Sequence, residues 1–195
     1  MSRTGPRYAG YALRAFKQAQ INRRVMAGSA GRTVHSRRQT LKFLLYFLAS
    51  PVLVLSWAFK LSPASSRVHF VWADKIRNTT IAPDVEVQLP IPQRLPGRVS
   101  SFLLAFGLLL WRLPGVAMFK GTVGDRCEFL AFLVEVFLMD VVLLNRSATT
   151  VSSASALDRK SLYLSCATRH LGQRHVVYQH GVINRFDGAC IPVCD

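Results

Sequence analysis

Acidic residues are missing from the start of this chain. Residues 1–73 hold twelve Lys/Arg and no Asp or Glu, whereas residues 74–195 hold thirteen Lys/Arg and ten acids. The net charge of +15 over 195 residues is therefore concentrated in the N-terminal third, at +12 against +3. Cysteine is sparse too: Cys127, Cys166, Cys190 and Cys194 form no CxxC pair. That spacing argues against a zinc finger or a disulfide framework and in favour of ordinary thiols. No internal repeat is present. Residues 121–124 read GTVG without the Gly-Lys-Ser/Thr ending of a phosphate loop, Ser165 lacks a nucleophile-elbow context, and His35 and His69 are isolated from other ligating residues. These gaps exclude most metal-dependent and nucleotide-hydrolysing classes.

What the chain has is apolar surface. Half its residues are hydrophobic and the mean hydropathy is +0.23, which excludes a disordered chain and is rich for a purely soluble one. One sizeable domain fits in this length. In residues 7–24, Tyr8, Tyr11, Ala12, Ala15, Phe16 and Ala19 recur at helical spacing, with Arg7, Arg14, Lys17 and Arg24 elsewhere. This pattern predicts a basic amphipathic helix. An acid-free, Arg-rich, Ser-containing start suits a solvated tail, a membrane-surface segment or an organellar transit peptide. The charge argues for membrane lipid as partner rather than nucleic acid, because no nucleic-acid motif accompanies it and an apolar run follows it.

That run is residues 43–59, seventeen residues without a charge between Lys42 and Lys60. As a helix it spans about 26 Å. Its ten Leu, Val and Phe residues contribute about −3 to −6 kcal/mol to insertion before Pro51 and the serines are counted. Trp57 lies near an interface, while Tyr46 is too deep for one. Ten Lys/Arg precede the run. The positive-inside rule then predicts a single-pass membrane protein with a cytosolic N-terminus. A second run, 102–119, carries Arg112, which costs about 2.5–3.5 kcal/mol near a helix centre. Residues 100–113 are accordingly read as a buried helix capped by Ser100 or Ser101 and stopped by Pro114, with a second span as the alternative.

The remainder alternates. Strands are expected at 68–72, 85–89, 116–119, 139–144 and 175–179. Helices are expected at 125–138, with Phe129, Phe132, Leu133 and Val136 on one face, and at 155–171, stopped by Gly172. Asp125 and Glu128 read as partners of the helix dipole rather than as a catalytic pair. The expected fold class is α/β, a Rossmann-like, mostly parallel sheet with flanking helices, preceded by a transmembrane helix. The expected domains are a flexible basic cytosolic tail at 1–40, an anchor at 41–60 and the Rossmann-like domain at 61–195, incomplete at its C-terminus. Strand 141–144 is expected beside strand 176–179.

The strongest chemical signal is Tyr178-Gln179-His180-Gly181 at the end of the last expected strand. Ligands of open parallel sheets bind beyond the carboxyl ends of the strands. An imidazole there suits a general base, and the glycine after it admits close backbone approach. The loop 147–155, with Ser152 and Ser153, occupies the same edge at a helix N-terminus suited to anions. The stretch LDRKSLYLSCATRHLGQRHVVYQHGVI, with the tail 191–195, resembles a segment of GT-B glycosyltransferases that build bacterial surface polysaccharides. The resemblance covers about residues 140–195. It implies a Rossmann-like N-terminal domain, His180 as catalytic base, a sugar acceptor, and a sugar nucleotide as donor, while the strand-end reading itself puts Gln179, Gly181, Ser152 and Ser153 at the substrate, with no cofactor or metal expected. It also implies a second nucleotide-binding domain that these 195 residues do not contain. Two functions follow as expectations. One is a membrane-anchored glycosyltransferase-like protein. The other is a non-catalytic membrane protein with one or two spans and a small interaction domain.

Overall fold

A computed structural model describes residues 5–26, 35–57, 67–71, 86–88, 99–145, 149–153 and 159–177. Six helices lie among them: α1 (Gly5–Met26), α2 (Arg37–Trp57), α3 (Val99–Arg112), α4 (Pro114–Met118), α5 (Val123–Asn145) and α6 (Arg159–Leu171). Four strands of three to five residues accompany them: β1 (Arg67–Val71), β2 (Glu86–Gln88), β3 (Thr150–Ser153) and β4 (Arg174–Val177). They pair in parallel in the order β2-β1-β3-β4.

The architecture is set by α5. Between Gly124 and Gly172 the sequence has neither Gly nor Pro, so nothing interrupts a helix that starts at Val123. Its start is fixed by a reciprocal cap: Thr122 N donates to Asp125 Oδ2 at 2.9 Å, and Asp125 N donates to Thr122 Oγ1 at 3.2 Å. Apolar side chains then surround the axis. Phe129, Phe132, Leu133, Val136, Phe137, Val141 and Leu143 are all buried, and a helix apolar all round must lie inside. α2, α3 and α6 pack against it. The helix α1 closes the bundle over α3, α4 and α6 with the face foreseen from the sequence: Tyr11, Ala12, Ala15, Phe16 and Ala19 are buried. Phe16 stacks on Phe129 at 4.6 Å and meets Phe119 and Phe132 edge-on. Thus residues 5–26, within the segment read as a flexible tail, form part of the core.

This corrects the expected fold class. The described residues are mostly helical with a small sheet, not a Rossmann-like α/β domain. Residues 139–144, expected as a core strand, are the last turns of α5, and 116–119 fall at the end of α4 and just beyond it. A short apolar run reads equally as buried strand or buried helix. Here continuity with the preceding helical pattern decides for helix. The neighbour of β4 is β3, Thr150–Ser153, in what was read as a serine loop. The strand positions 68–71 and 86–88 do match, as does the stop at Gly172. There φ is +67°, and Gln173 N and Gly172 N bond back to the carbonyls of Thr168 and Arg169, closing α6. A second reciprocal cap starts α2, between Ser36 and Gln39.

Close approach of α1 to α4 requires Gly115, where an added Cβ would lie 2.8 Å from the Ala9 carbonyl oxygen. Gly115→Ala should destabilise by about 1–3 kcal/mol, the usual range for overpacking. A lower denaturation midpoint at unchanged slope is the expected result, and an unchanged midpoint would contradict this packing.

Candidate functional site

The packing of α5 buries three of its acids, Asp125, Glu128 and Asp140. Glu128 is 1% exposed. Its carboxylate receives Arg23 Nη1 at 2.8 Å from α1, Arg159 Nη1 at 3.1 Å and Gln20 Nε2 at 3.3 Å, with His35 Nε2 at 3.1 Å. Asp125 lies 3.7 Å from the same imidazole. Two turns along from Glu128, Glu135 accepts the Tyr46 phenol at 2.9 Å. Asp140 meets Arg112 in a fully buried bidentate pair, with Nη1 to Oδ2 and, at 3.1 Å, Nη2 to Oδ1. Desolvated carboxylates are tolerated only with partners of this kind. Glu128 is therefore a junction of α1, α5, α6 and the residues before α2, not simply a dipole partner.

Arg112 has a second duty. Its Nε donates to His170 Nδ1 at 2.8 Å. A guanidinium only donates, so Nδ1 accepts and the imidazole proton sits on Nε2. Burial, reinforced by the charges of Arg112 and Arg169, pushes His170 down to about 3, so the ring is neutral near pH 7. Its Nε2 has no hydrogen-bond partner among the described residues. The ring forms one wall of an open cleft of about 780 Å³ between α1 and the end of α6. Arg7, Tyr8, Tyr11 and Arg14 line it from α1, Arg169 and His170 from α6, and no acid lines it. Tyr8 and Tyr11 meet His170 edge-on at 4.5 and 5.6 Å, and the Arg169 guanidinium lies 4.6 Å over the Tyr11 ring.

The residues singled out from the sequence fare differently. Gln179, His180 and Gly181 lie outside the described residues, as does most of the loop around them. Ser152 lies in β3, in register with His69 and Val176. Ser153 is fully buried, and its hydroxyl meets His175 Nε2 at 3.0 Å. Burial pushes His175 down to about 4. Without exposure, this Ser–His contact ties β3 to β4 and presents no nucleophile. Cys127 and Cys166 are free and buried, and burial pushes the Cys166 thiol up to about 12, which keeps it unreactive. Among the described residues no group of three or more His, Cys, Asp or Glu is placed to hold a metal. The cleft itself was missed. Arg7 and Arg14 stand two turns apart beside Tyr8 and Tyr11, a legible spacing, but their meeting with Arg169 and His170 depends on tertiary packing.

The chain was compared with models of protein families, with curated proteins and with solved structures, and nothing matches. The glycosyltransferase resemblance therefore gains no support there.

Two tests address this network. Asp140→Leu strands a buried guanidinium and should cost about 3–5 kcal/mol, whereas Arg112→Leu with Asp140→Leu should recover most of that loss. Equal destabilisation of the single and double variants would show that the pair is not a closed unit. For pH, both His170 and His175 are depressed below the unfolded value of 6.5. The unfolded chain thus binds the extra protons, and the stability these residues contribute above pH 6.5 is lost as pH falls toward 4 and then 3. Denaturation midpoints measured from pH 7 to 4 should fall, and the fall should be shallower in His175→Gln; an identical slope would remove His175 from the account.

Proposed function

We propose that this chain is a non-catalytic membrane protein, seated in the bilayer by the apolar faces of α2 and α3, with the basic start of α2 on the cytosolic side. The observation that carries the reading is where the exposed hydrophobic residues fall. On α2, Leu41, Leu45, Leu48 and Val52 form a stripe at helical spacing, each more than half exposed. On α3, Leu103 and Leu104 are about 60% exposed, with Leu110 and Trp111 further along. The opposite faces of both helices are packed on α5. Water tolerates scattered apolar residues of this size but not ordered stripes on adjacent helices.

Among the described residues the one helical stretch long and apolar enough to cross a membrane is Val99–Met118, not the 41–60 segment expected as the anchor, and one third of its most apolar window is buried. The structure sharpens the account of Arg112 within it. The charge that weakened this stretch on sequence grounds is neutralised by Asp140, so the insertion cost reckoned for a lone arginine does not apply in full. The acid-free N-terminus supplies the orientation, since Arg37, Arg38 and Lys42 are exposed at the start of α2.

Alkaline carbonate extraction of membranes expressing the chain tests the seating. The wild type should stay in the pellet, and Leu45→Lys/Leu48→Lys together with Leu103→Lys/Leu104→Lys should shift it to the supernatant. Quantitative release of the wild type would overturn the reading.

A further inference from the structure

We propose that the cleft between α1 and α6 binds the phosphate-bearing headgroup of an anionic phospholipid, with the lipid's acyl chains lying along the exposed face of α3. The proposal rests on the membrane reading above and adds a ligand class and a site to it.

The cleft has the donors that a phosphate monoester or diester needs, and among the described residues no acid lines it. Arg7 and Arg14 project from one side of α1 about 10 Å apart along the axis. Arg169 approaches from α6, held over the Tyr11 ring. All three guanidinium groups carry fixed charge, and a planar fork of N–H donors matches phosphate oxygens in pairs. Asp140, buried behind His170 through Arg112, is occupied by that arginine. His170 adds no charge to this lining, because Arg112 donates to its Nδ1 and the ring stays neutral while its buried Nε2 has no partner among the described residues.

A second feature points to lipid rather than free phosphate. Tyr8 lines the cleft and also meets Trp111 edge-on at 5.6 Å. Trp111 is about half exposed and adjoins Leu110, with Leu103 and Leu104 further back along α3. The surface therefore passes from guanidinium groups through Tyr and Trp rings to exposed leucines. That sequence of chemistries follows a phospholipid from headgroup through interface to hydrocarbon. A free phosphate uses only its first part.

Binding of short-chain lipids to the purified full-length chain in an uncharged detergent tests this, read by Trp fluorescence and isothermal calorimetry. Dioctanoyl phosphatidylglycerol should bind saturably, and dioctanoyl phosphatidylcholine should bind at least roughly tenfold more weakly. Arg7→Ala/Arg14→Ala should weaken phosphatidylglycerol binding roughly tenfold or more, Arg7→Lys/Arg14→Lys should retain most of it, and Arg37→Ala/Arg38→Ala, off the cleft, should leave it unchanged. Because Arg7 and Arg14 are exposed, circular dichroism should show all variants folded. Equal affinity of wild type and Arg7→Ala/Arg14→Ala overturns the site. Inorganic phosphate binding as tightly as phosphatidylglycerol overturns the lipid assignment. Release of the wild type by carbonate, with phosphatidylglycerol binding intact, overturns the bilayer seating alone. Carbonate resistance with no selectivity for the anionic lipid overturns the cleft alone.

Discussion

Acids on α5 must find hydrogen-bonding or cationic partners, and the helices packed on α5 supply them. Glu128 and Asp140 are buried and Glu135 is half-buried, and each of the three is met from a neighbouring element, while Asp125 is capped by Thr122 at the start of α5 itself. Glu128 draws in Arg23 from α1, His35 from the residues before α2 and Arg159 from α6. Asp140 takes Arg112 from α3, and Glu135 takes Tyr46 from α2. Glu128, Glu135 and Asp140 therefore tie α1 with α6, α2 and α3 respectively to different heights along α5. Apolar packing alone would tolerate rotation or sliding of such helices, whereas a buried carboxylate accepts few registers.

The acid-free N-terminus takes on a second meaning in this light. Its charge was legible as an electrostatic signal for a membrane surface. The structure divides it in two. Arg23 and His35 turn inward to Glu128, while Arg7, Arg14, Lys17, Arg37, Arg38 and Lys42 stay outside. The asymmetry between +12 and +3 is thus in part an internal one, because the acids of α5 are matched by cations from beyond their own third of the chain. Tyr46 fits the same logic. Its depth within an apolar run made no sense as an interfacial residue, and it is accounted for by Glu135.

Legibility followed the range of the interactions involved. The amphipathic face of α1, the start of β1, the stop at Gly172 and the strand at β4 are written in local spacing or local turn chemistry, and the sequence shows them. The strand expected at 139–144 failed because Met139, Val141, Val142, Leu143 and Leu144 are apolar on every side, a pattern without period. The deciding fact was their continuity with the phenylalanine face seven to ten residues earlier. Arg112 was weighed as an isolated charge because Asp140 lies 28 positions away. The cleft was out of reach for the same reason, since α1 and α6 are separated by over a hundred residues. The motif that looked most chemical, at 179–181, lies outside the described residues, so its role stays with the resemblance that raised it.

Arg112 joins the buried network to the surface. One edge of its guanidinium neutralises Asp140, and its Nε sets the tautomer of His170, which walls the cleft. The interaction that lets α3 present leucines outward without an unpaired charge therefore also holds the ring that walls the basic opening. The exposed apolar face of α3 and the basic cleft thus meet at a single buried arrangement. The geometry joins them at the end of α3, where Trp111 stands exposed beside Tyr8 and Arg112 stands buried beside Asp140.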